Sequence, residues 1–217
     1  MNKVLIGCFL LFFFVQTTFA QQTCERANVQ GSTLSAAAQS TCGVMIEGSA
    51  SRYEGGSLIE YSPNGKASVF FLGTSSGVRS VGTRLMLTDP QPHPFSLGVV
   101  ARVDKPHDSH HTGGMLLAAV RAEKGFLTID ANLGGVSDGL VTKHYSAVDF
   151  FFEPAVFKEK LILGVGAGYN GFEKLTEVDL TYILHPRVSV NVNIKVNPHN
   201  GEHITSVGGS FWLRRPH

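Results

Sequence analysis

No stretch of this chain is long and apolar enough to cross a membrane as a helix. The longest apolar run, residues 4–15, falls short of the roughly 20 residues a spanning helix needs, so helical spans are excluded. Charge is scarce and balanced: 16% of residues are Asp, Glu, Lys or Arg, and the formal net charge is +1 over 217 residues. Without Lys3 the balance is about zero, which leaves no electrostatic footprint for nucleic acid or an anionic membrane surface. Nucleic acid is thereby excluded as a partner. With one Trp and five Tyr, the aromatic girdles usual at a membrane boundary look thin. Cysteine is limited to Cys8, Cys24 and Cys42.

Residues 1–20 read as a secretory signal peptide. Lys3 gives the positive start, residues 4–15 the apolar core, and Thr18-Phe19-Ala20 a cleavage site before Gln21. Leu5-Ile6-Gly7-Cys8 mimics a lipoprotein box, but cleavage there would leave a core far shorter than the about 7 to 15 residues a signal uses. Export leaves Cys24 and Cys42 in an oxidising compartment, where two thiols most simply pair as a disulfide. Residues 21–43 are polar and small, with Ala36, Ala37 and Ala38 the one helical hint. They read as an N-terminal periplasmic segment, and a flexible lead-in or a short plug inside a barrel fits them equally.

From residue 44 onward the pattern changes to one of strands. Val188, Val190, Val192, Ile194 and Val196 alternate with Ser189, Asn191, Asn193, Lys195 and Asn197, a strict period of two with one wholly apolar face. Asn200-Gly201 then suggests a two-residue type I′ turn, with return through Val207, Gly209, Phe211 and Leu213. Similar segments recur throughout. Leu97, Val99 and Ala101 oppose Ser96, Gly98 and Arg102; Leu116, Ala118 and Val120 oppose Arg121 and Glu123; Val178, Leu180 and Tyr182 oppose Glu177, Asp179 and Thr181. Turn chemistry separates them, and about twelve strands can be counted, or ten if the faint segments before Lys66 fail.

The final strand, Ser206 to Leu213, reads SVGGSFWL. With Ser206, Gly208, Phe211 and Leu213 at its key positions, it resembles the C-terminal β-signal of bacterial outer-membrane β-barrels. The resemblance implies an all-β, antiparallel, up-and-down transmembrane barrel over residues 44–217, located in the outer membrane of a Gram-negative bacterium. It also implies two partners, the lipid of that membrane and the barrel-assembly machinery acting through the last strand.

Two features of the spacing agree with a barrel. Connections at 89–94, at Lys124-Gly125 and at His185-Pro186 fall at one end, and 105–114, 134–139 and 170–174 at the other, which suggests short turns opposite longer loops; 153–160 is the exception. The polar faces, moreover, are mostly Gly, Ser, Asn and Thr with isolated charges, whereas a soluble sandwich turns Lys and Glu outward. A Lys or Arg at mid-membrane on the lipid side costs about 2–4 kcal/mol. Charges should therefore point inward. Those assigned to the interior or pore lining are Arg84, Arg102, Arg121, Lys143 and Lys195 with Glu123, Asp130, Asp149, Glu177 and Asp179, five of each sign. They would fill a narrow barrel as a salt-bridged plug or line a weakly selective aqueous path in a wider one.

Other chemistry is less well supported. His107 and Ser109, two apart, match the pairing some outer-membrane lipid hydrolases use on one strand face, but here they sit in a Pro- and Gly-flanked loop that gives them no fixed register. His107, His110 and His111, with His199 and His203, offer imidazoles for a divalent metal but no pre-set geometry. No catalytic, metal or cofactor site is assigned. The expected function is an outer-membrane β-barrel that is structural or a small passive pore for small solutes. The alternatives are a lipid-modifying hydrolase, which needs a His/Ser or Asp/His set at the rim of adjacent strands, and a secreted soluble β-barrel binding a small apolar ligand.

Overall fold

A computed structural model describes residues 43–63, 65–88, 95–108, 110–157 and 160–213. The proposed signal peptide, Cys24 and Cys42 lie outside them. Twelve strands follow in chain order: β1 (Gly43–Ser51), β2 (Gly55–Ser62), β3 (Ala67–Thr74), β4 (Arg79–Met86), β5 (Phe95–Lys105), β6 (Gly113–Lys124), β7 (Leu127–Ser137), β8 (Thr142–Phe152), β9 (Leu161–Tyr169), β10 (Lys174–His185), β11 (Val188–Val196) and β12 (His203–Trp212). Each pairs antiparallel with the next, and β12 pairs back onto β1 to close the barrel. Closure leaves no open sheet edge, so every strand finds backbone partners on both sides. An even number of strands brings the ends of the barrel wall, at β1 and β12, to one rim.

The period-two pattern sets which face looks out. On β11, Val190, Val192 and Ile194 are 41%, 37% and 39% exposed, while Ser189 and Asn193 between them are 2% and 0% exposed. Water-avoiding side chains thus lie on the outside and hydrogen-bonding ones within, the reverse of a soluble core. Leu116, Leu133, Leu163, Val178, Leu180 and Val207 continue the same exposed apolar surface around the wall. This contradicts the secreted soluble alternative, in which these residues would face inward.

Three expectations need correction. The 197–202 connection is longer than a two-residue turn: Asn197 donates to Glu202 at 2.8 Å and Gly201 to Asn197 at 2.9 Å, with Gly201 at φ 73°. The local Asx-type bonds of Asn197 and Asn200 compete with hairpin closure and hold the wider turn. Loop lengths do not distinguish the two rims either. The rim with the chain ends carries 87–94 and 153–160 as well as the tight turns 125–126 and 186–187, and the other rim likewise mixes the longer links 106–112 and 197–202 with short ones such as 138–141 and 170–173. Gly134 and Gly135, read as loop, continue β7 to Ser137. Gly134 lies where a Cβ would strike the Leu116 carbonyl of β6, so glycine there marks close strand packing and not a turn.

The aromatic girdle is carried by phenylalanine. Tyr61, Phe95, Phe126, Phe150, Phe152, Tyr182 and Phe211 are all exposed and all sit toward the rim that holds the chain ends. Counting Trp and Tyr alone misses it, because the sequence has 15 Phe.

Candidate functional site

The inward faces of the strands build the site. Arg121 of β6 and Asp130 of β7 are directly opposed and joined by two bonds, Nε to Oδ1 at 2.7 Å and Nη2 to Oδ2 at 2.6 Å. Glu123, at the exposed end of β6, comes within 3.7 Å of the same guanidinium. Asp130 also faces Asp149 of β8 across the ladder, both fully buried. Like charges so placed repel, and Arg121 offsets part of that repulsion. Asp149 and Glu177 approach one another over Gly166 of β9, the residue paired to both. A Cβ at Gly166 would collide with the Asp149 carboxylate and crowd Glu177. Glu177 in turn accepts a bond from Asn193 at 3.3 Å and lies 4.0 Å from the Lys195 ammonium.

The remaining assigned residues occupy other parts of the wall. Buried Asp179 accepts a hydrogen bond from Thr181 at 2.8 Å. Arg84 lies 3.7 Å from Glu60, and Arg102 reaches Asp104 at 2.7 and 2.9 Å. Lys143 sits over the Phe172 ring, 4.2 Å from its centroid. Desolvating an ion costs several kcal/mol unless it is paired, which explains why these charges come in contacting sets.

Sequence reasoning missed Glu47, Glu60 and Asp104, all on inward-facing positions, and their addition tilts the lumen from balanced toward acidic. It also missed an apolar wall. Phe70, Val100, Leu117 and Ala119 are buried together, with Leu58, Met115 and Tyr145 packed against them. Trp212, on the inward side of the last strand, is 1% exposed. The lumen therefore has an apolar patch from β2, β3, β5 and β6 and, around it, polar and charged groups from every part of the wall. A cavity of about 660 Å³ runs between them, from the β1–β2 and β9–β10 links, at Glu54 and Phe172, down to Glu47, Phe70 and Arg84.

The loop histidines do not assemble into a site. His107 is exposed and 4.0 Å from Asp108, and Ser109 lies outside the described residues. Among the described residues no three His, Cys, Asp or Glu side chains gather to hold a metal. A different His/Ser pair stands on a strand. His144 and Ser146 share the outward face of β8 with Val148 and Phe150; the His144 ring stacks on Tyr169 at 4.4 Å, and Ser146 is the register partner of Tyr169. The two-residue spacing inside a period-two strand was the signal that could have found it.

No protein-family model matches the chain, and no characterised protein matches it by sequence. Solved structures do. The KdgM porin, solved in complex with disordered oligogalacturonate, superposes with a TM-score of 0.60 at 9% identity, covering 79% of this chain and 99% of that one. The NanC porin gives 0.57 at 7% identity, covering 79% and 100%. The fold is that of the bacterial outer-membrane β-barrels. Outer membrane phospholipase A from Escherichia coli shares it as well, with a TM-score of 0.51 at 11% identity over 81% of this chain and 91% of that one. Identities this low carry the barrel across and nothing about cargo. What a barrel of this shape does is decided by its own lumen and rim.

Proposed function

We propose that this protein resides in the outer membrane of a Gram-negative bacterium and acts there as a small passive pore, its lumen opening at the rim away from the chain ends. The observation that carries this reading is the pairing of a continuous exposed apolar exterior with a cavity of about 660 Å³ inside the same wall. An exterior of Val, Leu and Phe is stable against hydrocarbon and not against water. The porin likeness supports the same placement. On this reading the ten assigned charges set what passes, membrane lipid contacts the exterior, and the assembly machinery engages β12.

Polyanionic cargo of the oligogalacturonate kind fits this lumen poorly. Arg84, Arg102 and Lys195 would each have to leave the carboxylate beside it to pair with a chain bearing a carboxylate on every sugar. Reconstitution in planar bilayers tests the pore. Discrete ohmic steps that favour cations or neutral solutes are expected, and silence from correctly folded, heat-modifiable protein overturns the reading.

A second reading, a lipid-modifying hydrolase, is favoured by His144 and Ser146 on the lipid-facing side of β8. A serine nucleophile needs a base within hydrogen-bond reach, whereas here the imidazole is stacked on Tyr169. Phospholipid hydrolysis that is lost in both Ser146→Ala and His144→Ala would establish it. Hydrolysis that survives either change, or none at all, rejects it.

A further inference from the structure

Apolar side chains are out of place on the wall of a merely aqueous channel, because water next to them is unfavourable until something covers them. The lumen nonetheless carries such a wall on four strands, β2, β3, β5 and β6. Leu58 and Leu72 are register partners on β2 and β3, Val100 and Leu117 are partners on β5 and β6, and Met115 follows on β6. Phe70 reaches over Gly82 of β4, where any Cβ would collide with its ring. All six line the cavity. Hydroxyl and amide groups line it as well, among them Ser49, Ser51 and Asn170, the last two also holding the β1–β2 and β9–β10 links through Ser51 Oγ and Asn170 Oδ1.

The cations lining the cavity are already matched. Arg84 has Glu60 at 3.7 Å, Arg102 has Asp104 at 2.7 Å, and Lys195 has Glu177 at 4.0 Å. An anionic ligand would have to displace one of these carboxylates, whereas a neutral one keeps every pair intact; Glu54, which also lines the cavity, is held by a bond from Ser76. A concave, largely apolar cavity with a few convergent polar groups, within the roughly 300–1,000 Å³ range of small-molecule sites, is the usual form of a binding pocket.

We propose that the cavity is a binding site for an uncharged amphipathic small molecule, one with an aromatic or short alkyl body against Leu58, Phe70, Leu72, Val100, Met115 and Leu117 and hydroxyl groups toward Ser49, Ser51 and Asn170. This deepens the pore reading and rests on the lumen being open to solvent at the rim away from the chain ends. Binding there would make passage selective and saturable where an aqueous pore is linear.

Calorimetry on the barrel in lipid nanodiscs tests it, with empty nanodiscs as the reference and phenyl β-glucoside as the probe. Saturable binding is expected, at least about ten-fold tighter than glucose, which lacks the apolar body, and tighter than phenyl phosphate, which adds charge. Leu58→Asn with Leu72→Asn should weaken the probe about ten-fold, while Leu116→Ala on the outer face should leave it unchanged. Should the double variant lose its heat-modifiable migration, Met115→Gln provides the same comparison with a milder change. No saturable binding above empty nanodiscs, a preference for phenyl phosphate, or indifference to the folded lining variants overturns the proposal. Conductance without probe binding rejects this site and spares the pore; probe binding without conductance does the reverse.

Discussion

Arg121 and Asp130 form a two-pronged ion pair across the β6–β7 ladder inside the barrel, at 2.6 and 2.7 Å. Its position is telling, because Asp130 is also the direct cross-strand neighbour of Asp149. The guanidinium thus stabilises a place where two buried carboxylates meet.

Removing it should be costly. Arg121→Ala is expected to destabilise the barrel by about 3–5 kcal/mol, the usual penalty for stranding one partner of a buried pair. Arg121→Met combined with Asp130→Leu, which removes both charges, should cost less than the single change. Equilibrium urea unfolding in vesicles, run on both variants, measures the difference.

Gly166 is predicted to be intolerant of any side chain. A Cβ there collides with the Asp149 carboxylate and presses on Glu177, and over-packing of this kind costs about 1–3 kcal/mol. Gly166→Ala should lower the unfolding midpoint, and adding Asp149→Ala should restore part of it. Additive losses in the double variant would show that the two positions do not touch.

In the β7–β8 link, Asp138 accepts bonds from the backbone amides of Leu140 and Val141 at 2.8 and 3.0 Å, which hold its carboxyl below the ordinary carboxylate range. A depressed folded-state value means that the stabilisation is full above the ordinary value near 3.8 and is lost as the pH falls through the lower one. Protection of the Leu140 and Val141 amides against exchange, relative to intrinsic rates, should therefore persist at neutral pH and collapse only under strong acid. Asp138→Asn should make that protection independent of pH.

Much of the architecture is legible in the sequence where only one strand face is apolar. β10 and β11 declare their outward and inward residues through Val, Leu and Tyr against Asp, Asn and Ser, and the strand count follows from their repetition. Legibility fails where both faces are apolar. Phe70-Phe71, Val99-Val100 and Leu116-Leu117 erase the alternation, and so the hydrophobic patch of the lumen went unread. Glu47 and Glu60 were hidden for another reason: their strands are short and rich in Gly and Ser, with too little pattern to fix a face. The His144/Ser146 pair is overshadowed in the sequence by the histidine-rich loop at 107–111, although only a strand holds two side chains in register. Loop lengths misled because 87–94 and 153–160 occupy the rim expected to be tight.

The central claim, hydrocarbon outside and lumen inside, can be tested with the protein's sole tryptophan. Trp212 points into the barrel and is 1% exposed, while Phe211 beside it points out and is 42% exposed. In vesicles of lipids brominated along the acyl chains, which quench indole only at short range, native fluorescence should be quenched weakly. The exchange variant Phe211→Trp with Trp212→Phe should be quenched several-fold more strongly. Equal quenching of the two proteins, or stronger quenching of the native one, would contradict the account.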